Sequence, residues 1–226
     1  MPRLIWKNIR FPFSAQAAEK RYDRRLGIDT SGYIEPSSLG LNEGSGKQSR
    51  PYNGTPPGIA NFLIGQIAPR ATGFTFIDIG SGKGRVLLIA ARFPFSRVVG
   101  FEHSEQMNEI AASNVRQFLK HYPDIVPVEL VSGDATRLPL PDGPLLIFLF
   151  NPFGPEAVRD FAASVKASYQ QNPRKIICIY YNAAHPAEFA SLGIFPVQTK
   201  VVTPPDPTDS FGDLKLQTIV FETTDL

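Results

Sequence analysis

The sequence predicts an α/β fold of the doubly wound type, in which a mostly parallel sheet carries helices on both faces. From about residue 57 onward, short apolar runs suited to buried strands alternate with longer runs suited to amphipathic helices. The clearest such unit joins the apolar run 74–79 through a glycine turn to a helical run at 84–92. Because a strand that is apolar at successive positions is covered on both sides, helices are expected on both faces of the sheet.

An N-terminal extension of helix and loop precedes this core. Ala15–Leu26 is the best helix candidate, and the region holds more basic than acidic residues, which are Arg3, Lys7, Arg10, Lys20, Arg21, Arg24 and Arg25 against Glu19 and Asp23. Two interpretations of this basic segment stay open, a solvated helical face and a patch that meets an acidic partner.

The extension ends in a long loop. Residues 36–58 are rich in glycine, proline and serine, a composition typical of loops, and a loop of this length in a compact domain is usually functional or disordered. We therefore divide the chain into an extension with a lid loop at 1–56 and a single domain at 57–226.

The core elements follow in alternating order. Helices are predicted over 57–68, 84–92, 104–121, 154–171 and 186–192. Strands are predicted over 74–79, 97–101, 126–131, 144–150 and 175–181, with a turn at Leu138–Gly143 before the fourth. Two late strands, at about 194–203 and 214–223, flank a proline-rich turn.

The turn after the first core strand is built to receive a nucleotide. Glycines at 80, 82 and 84 let the backbone turn sharply without a Cβ in a ligand's way, and the next helix points its unpaired N–H groups at that ligand. A dinucleotide-binding fingerprint needs a small residue where this chain has Arg85, and a P-loop needs a glycine where it has Ile77. Both mismatches argue against these two kinds of nucleotide site. Asp78 would repel a pyrophosphate but attract a cationic ligand, which points to S-adenosylmethionine.

The run Asp78-Ile-Gly-Ser-Gly-Lys-Gly-Arg85 resembles the class I, seven-strand S-adenosylmethionine-dependent methyltransferases, and the likeness covers roughly residues 55–226. It is similar to bacterial members of unassigned substrate and, more loosely, to Dot1-like lysine methyltransferases. The resemblance implies a Rossmann-like sheet of seven strands whose two late strands form an antiparallel C-terminal edge hairpin. It also implies that the run from Asp78 to Gly84 wraps the methionine part of the cofactor, through Asp78, Gly80, Ser81, Gly82 and Gly84.

Further cofactor ligands are expected where later strands end. Glu102 lies about twenty residues after the glycine turn, the spacing at which an acid binds ribose hydroxyls. His103 beside it is either a loop histidine or an adenine contact. Asp134 and Ala135 resemble the family segment that binds adenine, with an Asx turn as the alternative for Asp134. Tyr52 matches, by weak local similarity, the cofactor-capping tyrosine of the Dot1-like relatives.

The acceptor chemistry is assigned to the end of the fourth strand. Methyl transfer requires alignment of a nucleophile with the methyl carbon and exclusion of water, and Asn151, Pro152 and Phe153 offer a polar side chain, a fixed backbone and a flat ring. This segment is similar to the N-P-P-[YF] signature of methyltransferases that act on planar or amide nitrogens, with one proline where the family has two. The alternative is that Asn151 and Pro152 only cap the next helix.

Two adjacent tyrosines end the fifth strand. Only one of Tyr180 and Tyr181 can point to a given face of the sheet, and Tyr181 is assigned to the catalytic group. Participation of Tyr180 and of His185 is left open.

Composition sets the remaining limits. The chain has 226 residues, a formal net charge of +2 and 42% hydrophobic residues, which suits one domain and gives no indication of nucleic-acid binding. No apolar run approaches a membrane span and no signal-like segment is found, so a cytoplasmic protein without a membrane partner is expected. Cys178 lies in an apolar run and is expected to be inert packing. No metal site is predicted.

The sequence thus predicts an S-adenosylmethionine-dependent methyltransferase, with N-methylation of a protein lysine side chain as the favoured reaction. The alternatives are a methyltransferase acting on a small molecule or a nucleic-acid base, and a cofactor-binding protein without activity. The oligomeric state and the role of the basic N-terminal segment are left open.

Overall fold

The computed structural model describes residues 13–35, 38, 51–137, 139–209 and 216–224. The basic residues Arg3, Lys7 and Arg10, most of the loop predicted at 36–58 and the first residue of the turn at Leu138–Gly143 lie outside the described residues, as do residues 214 and 215 of the last predicted strand.

The N-terminal extension contains a helix and a pair of very short strands. Helix α1 spans Phe13–Leu26, and its basic residues from Lys20 to Arg25 are exposed. Strands β1, at Tyr33–Ile34, and β2, at Tyr52–Asn53, pair in antiparallel register. The sequence indicated the helix, but it read residue 52 as loop, because two-residue strands show no alternating pattern.

The core alternates strands and helices as predicted. The helices are α2 at Pro57–Ile67, α3 at Arg85–Ala90, α4 at Glu105–Leu119, α5 at Pro155–Gln171 and α6 at Ala187–Ala190. The strands are β3 at Thr75–Ile79, β4 at Arg97–Glu102, β5 at Val128–Ser132, β6 at Leu145–Phe150, β7 at Ile176–Tyr181, β8 at Val197–Val201 and β9 at Thr218–Glu222. Each helix starts within one residue of its predicted start, while several end earlier than predicted.

Prolines explain two of the early helix ends. Helix α2 passes into a 3-10 turn at Ala68–Arg70, where Pro69 has no N–H to continue the α-helical ladder. Helix α3 stops at Ala90 and the chain continues as turns toward Pro94, whose ring disfavours helical geometry at the preceding residue.

The main sheet has seven strands in the order β5-β4-β3-β6-β7-β9-β8. Strands β3 to β7 run parallel, while β9 is antiparallel to both β7 and β8. The seven-stranded sheet with an antiparallel edge hairpin is therefore confirmed. Because β3 pairs with both β4 and β6, the direction of winding reverses there, and ligands of such sheets bind at the carboxyl ends of strands beside this point.

Apolar side chains pack on both faces of the sheet. Along β3, Phe76 joins the cluster that α2 and α3 cover, and Ile77 joins the cluster that α5 and α6 cover. In β7, Tyr181 belongs to the first cluster and Tyr180 to the second. Helices on both faces confirm the doubly wound arrangement and leave the strand ends open for a site.

No helix in the described part of the chain combines the length and apolar character that crossing a membrane would require. Cys178 is fully buried in β7, and this burial raises the pKa of its thiol, as expected for a packing residue.

Candidate active site at the carboxyl ends of the central strands

A cavity opens where β3, β4 and β6 end, and the β2 segment covers part of it. It collects nine of the fourteen site residues that the sequence singled out, namely Tyr52, Asp78, Gly80, Ser81, Gly82, Glu102, Asn151, Pro152 and Phe153. Gly84, His103, Asp134, Ala135 and Tyr181 do not line it.

The glycine turn makes close contacts at two positions. Gly80 has φ of 72°, and a Cβ there would lie 2.8 Å from the Pro152 Cβ. Gly82 has φ of 54°, and a Cβ there would lie 2.4 Å from a Tyr52 ring carbon. Both positions therefore require glycine for backbone conformation and for space, so the turn is fitted between the acceptor segment and the β2 segment. Gly84 caps helix α3.

Asp78 is a buried acid on the cavity wall, which Glu102 and Arg85 also line. Its side chain is buried at the end of β3, and desolvation, followed by the nearby charge of Glu102, raises the pKa of its carboxyl group to about 8. A cation that approaches a buried carboxyl group stabilises its charged form, because the cation offsets the hydration that burial has removed. This wall therefore favours a ligand that carries a positive charge.

Glu102 is held in place by backbone groups. One carboxylate oxygen accepts a hydrogen bond from the Gly82 N–H at 2.8 Å, and the other accepts one from the Ser104 N–H at 2.9 Å. The carboxylate thereby links the end of β4 to the glycine turn. It lies on the cavity wall, where the predicted ribose ligand belongs.

The lining fits S-adenosylmethionine on two observations. The buried Ser81 hydroxyl on the cavity wall has no hydrogen-bond partner among the described residues, so it can bind a polar ligand atom. The acids Asp78 and Glu102 lie on the same wall beside the glycine turn, where they would attract the positively charged parts of the cofactor. Asp78, Ser81 and Glu102 would hold the amino-acid and ribose parts of the cofactor.

The predicted adenine ligands lie outside this cavity. His103 is exposed just after β4. Asp134 forms a local turn, in which its carboxylate accepts hydrogen bonds from the Thr136 N–H at 2.9 Å and the Thr136 hydroxyl at 2.7 Å. These contacts are those of the Asx-turn alternative, and the adenine roles of His103, Asp134 and Ala135 stay predictions.

The acceptor segment follows β6 in an unusual backbone conformation. Asn151 has φ of 41° and a buried side chain, and asparagine tolerates this left-handed region better than most residues. The carboxamide oxygen of Asn151 accepts a hydrogen bond from the Tyr180 hydroxyl at 3.3 Å. Pro152 packs on Gly80, and the half-buried Phe153 adds a ring to the cavity wall.

Tyr181 faces the opposite side of the sheet from Tyr180. Its ring packs on Phe150, with 4.8 Å between ring centroids, and burial and the charges of Asp209 and Asp206 raise its pKa. The tyrosine that contacts the acceptor segment is therefore Tyr180. The catalytic role assigned to Tyr181 stays a prediction without a cavity contact to support it, and His185 does not line the cavity either.

The sequence missed a polar network that ties the extension to the site. The buried Arg85 guanidinium donates to Glu19 at 2.8 Å and to the hydroxyl and carbonyl oxygens of Thr30, both at 2.8 Å. The Lys83 ammonium bonds to Asp29 at 2.8 Å, also from the glycine turn to the extension. The sequence did contain an indication of this contact, since the acids Glu19 and Asp23 are four residues apart and therefore share one face of α1.

Comparison with known proteins relates the central part of the chain to a described family. Residues 76–169 match the model of a family described as "Methyltransferase domain". A proposed RNA methyltransferase from Pyrococcus horikoshii has a similar structure, with 15% identity, a TM-score of 0.54, and coverage of 92% of this chain and 96% of that one. No curated protein matches the sequence.

A proposed S-adenosylmethionine-dependent methyltransferase from Methanococcus maripaludis shares 20% identity, with a TM-score of 0.50 and coverage of 75% of this chain and 85% of that one. At these identities the structural likeness establishes the fold, and the family match identifies residues 76–169 as a methyltransferase domain. The methyltransferase domain matched at residues 76–169 and the seven-stranded sheet together support an S-adenosylmethionine-dependent methyltransferase.

Proposed function

We propose that this enzyme methylates an amine nitrogen, and that its acceptor is a protein lysine side chain. The observation that carries the proposal is the position of Asn151, whose buried carboxamide lies on the same cavity wall as Asp78 and the glycine turn. A carboxamide oxygen can accept a hydrogen bond from an amine, and so orient it toward the cofactor.

The chain's own residues align the reactants. When bound, the cofactor supplies an electrophilic methyl group on a positively charged sulfur, so the nitrogen lone pair forms the N–C bond as the C–S bond breaks and leaves its electron pair on sulfur. Asp78 and Glu102 would hold the cofactor, and Asn151 would hold the nitrogen in line. Pro152 and Phe153 close the acceptor side against water, and such alignment is the main contribution an enzyme makes to this reaction.

A lysine acceptor must lose its proton before it attacks. The residues of the acceptor segment that line the cavity, Asn151, Pro152 and Phe153, carry no basic group that could take up this proton. We therefore expect the turnover rate to increase with pH toward the amine pKa near 10. A rate that stays flat between about pH 7 and 9, with chemistry rate-limiting, would contradict an unassisted amine.

A nucleic-acid base is a second candidate acceptor. The half-buried ring of Phe153 follows the Asn151-Pro152 pair, and a flat ring beside a carboxamide also suits a planar base nitrogen. The Pyrococcus horikoshii protein named as a proposed RNA methyltransferase shares the fold over 92% of this chain. These observations support a base acceptor without excluding an amine.

Transfer of a tritiated methyl group into a cell lysate separates the candidates. Radioactivity in the protein fraction that resides on lysine after hydrolysis would support the favoured acceptor. Label in the nucleic-acid or the small-molecule fraction would show that the acceptor belongs to that class and is not a protein lysine. If no fraction is labelled, the proposed activity is contradicted.

Replacement of Asn151 tests the positioning role. We expect Asn151→Ala to keep cofactor affinity within a few-fold and to lower turnover by at least about 100-fold, the scale of a lost positioning group. Asn182→Ala is a matched control, because Asn182 also follows a strand with positive φ, at 50°, but does not line the cavity. A collapse of cofactor affinity in Asn151→Ala would make Asn151 a binding or folding residue.

A further inference from the structure

We infer that Tyr180 is a positioning residue that sets the orientation of the Asn151 carboxamide, an inference that rests on the proposed role of Asn151. The two side chains come from neighbouring parallel strands, since β6 pairs Leu149 with Tyr180 and Asn151 follows one residue beyond the end of β6. The Tyr180 hydroxyl donates to the Asn151 carboxamide oxygen at 3.3 Å.

The orientation of a carboxamide decides what it offers a substrate. One end is an acceptor with two lone pairs and the other carries two N–H donors, so a half-turn of the group replaces attraction for an incoming N–H by repulsion. A nitrogen that attacks a methyl group needs an acceptor for its own N–H. The Tyr180 hydroxyl occupies one lone pair of the oxygen and leaves the second for the substrate.

The Tyr180 ring is itself fixed by packing. Its side chain is fully buried, and its ring meets Phe189 edge-on, with centroids 5.7 Å apart and an interplanar angle of 61°. Phe189 in turn packs on Phe221 of β9, with 5.6 Å between centroids. A ring held on these sides places its hydroxyl at one point, so its bond to Asn151 transmits the rigidity of the sheet to the carboxamide.

The left-handed backbone of Asn151 makes this support necessary. A residue with φ of 41° starts a sharp turn directly after a buried strand, and the strand's own hydrogen bonds do not fix its side chain. Without the hydroxyl of Tyr180, the carboxamide would sample both orientations. The expected effect is a lower turnover rate with an unchanged cofactor affinity.

The experiment compares Tyr180→Phe, Tyr181→Phe and Tyr169→Phe in the full chain. We expect Tyr180→Phe to lower kcat by about 10- to 100-fold, the range for a misplaced reacting group, with the cofactor Kd unchanged within about two-fold. Tyr169→Phe, on α5 away from the cavity, should keep the wild-type kcat. If Tyr181→Phe lowers kcat as much as Tyr180→Phe does, the assignment to Tyr180 is overturned.

A double-mutant cycle separates positioning from general destabilisation. In an Asn151→Ala background, Tyr180→Phe should have no further effect on kcat, because the group it orients is gone. Additive losses would show that Tyr180 acts independently of Asn151 and would overturn the inference.

A measurement without turnover separates this inference from the proposed function. The side-chain amide signals of Asn151 in an NMR spectrum, identified by their absence in Asn151→Ala, should shift in Tyr180→Phe and stay in place in Tyr169→Phe. If wild-type protein transfers no methyl group but these signals shift, the proposed function fails while the contact stands. If they do not shift, the inference fails whatever the activity.

Discussion

Asp78 places a proton-binding group inside the cofactor cavity. Burial and the charge of Glu102 raise its pKa to about 8, so near neutral pH much of the free protein carries a neutral carboxyl group there. A bound cation favours the charged form, so cofactor binding and proton release are coupled.

This coupling predicts a pH dependence of cofactor binding. Affinity for S-adenosylmethionine should increase as pH rises through about 8, because the deprotonated carboxylate is the form that attracts the cation. Calorimetry should show this increase in the wild type and its loss in Asp78→Asn. The exposed Asp142 offers a control, since Asp142→Asn should keep the wild-type profile. An unchanged profile in Asp78→Asn would contradict the role of this carboxyl group.

The same pKa predicts a trend in the stability of the free protein. The folded state holds the Asp78 proton up to about pH 8, whereas the unfolded chain releases it near its ordinary value of 3.8. The contribution of Asp78 to the free energy of unfolding is therefore full below pH 3.8 and is lost as pH rises to about 8. Denaturant unfolding should show the wild type losing stability relative to Asp78→Asn across this window. A constant difference would contradict the raised pKa.

Substitution of Gly82 should affect both stability, through backbone strain, and cofactor affinity, through contact with Tyr52. Gly82→Ala should lower stability by about 1–2 kcal/mol for the left-handed backbone, and should also weaken cofactor binding, because its Cβ displaces Tyr52. Gly73→Ala meets the same strain at φ of 79° with no atom within 4 Å, so it should lose stability and keep cofactor affinity. Thermal unfolding and calorimetry measure the two quantities. Equal affinity losses in both variants would contradict the contact argument.

For single residues, the sequence predicted a position on the cavity wall correctly where the residue lies at the end of a strand that could be recognised from its apolar run. Asp78, Glu102 and Asn151 lie on the cavity wall because each stands at or just beyond the end of a strand that its apolar run revealed. The choice between Tyr180 and Tyr181 could not be made, because the pattern of β7 is apolar at every position. In such a strand, the sequence does not show which set of alternate residues faces which side of the sheet.

A buried ion pair joins α1 to the start of α3. Arg85 and Glu19 form an ion pair at 2.8 Å with side-chain exposures of 2% and 6%, and Thr30 completes the hydrogen bonding of the guanidinium. Desolvation works against the charge of Arg85, while Tyr52, Glu19 and Asp23 raise its pKa. A buried charge in such a network is tolerated only while its partners remain.

Removal of one partner should therefore be costly. We expect Glu19→Ala to lower the free energy of unfolding by about 3–5 kcal/mol, since it leaves the Arg85 charge buried and less well paired. Glu129→Ala is the contrasting variant, because Glu129 pairs with Arg97 where both side chains are more than half exposed, at 54% and 52%. That variant should cost no more than about 1 kcal/mol. Similar losses in denaturant unfolding would contradict the buried network.

Elements of the extension were harder to predict than those of the core. Helix α1 was expected from its composition, but the basic residues that drew attention are exposed, and the acids Glu19 and Asp23 make the contacts. The partner of Glu19 lies 66 residues away in the chain, and no local pattern reveals a pairing at that separation, whereas Asp23 accepts hydrogen bonds from the nearby Thr30 and Ser31. The pair of β1 and β2 was missed because tertiary contact, and not strand propensity, holds it.

In the whole molecule, the sheet should be the most stable unit at its centre. Strands β3, β6 and β7 are buried and paired on both sides, whereas β8 is exposed at four of five positions and pairs only with β9. Hydrogen exchange should therefore be slowest in β6 and β7, and faster in β8, which can open locally. Equal protection of β8 and β6 would contradict this order.

At this scale the family resemblance supplied the antiparallel edge hairpin, and the strand order was not predicted. Alternation of strands and helices implies a parallel sheet, but the order β5-β4-β3-β6-β7-β9-β8 depends on which strands meet in space. The antiparallel placement of β9 between β7 and β8 could not follow from its apolar run alone. The resemblance implied that the two late strands form an antiparallel hairpin at the edge of the sheet, and the structure supplied their order.

The bond between Glu19 and Arg85 also orders events while a ribosome makes the protein. Helix α1 leaves the exit tunnel long before Arg85 has been synthesised, because 66 residues separate the two partners. Until then the Glu19 carboxylate stays in water, because the guanidinium that it pairs with does not yet exist. Helix α1 can therefore take its place only after synthesis has passed the glycine turn and reached Arg85.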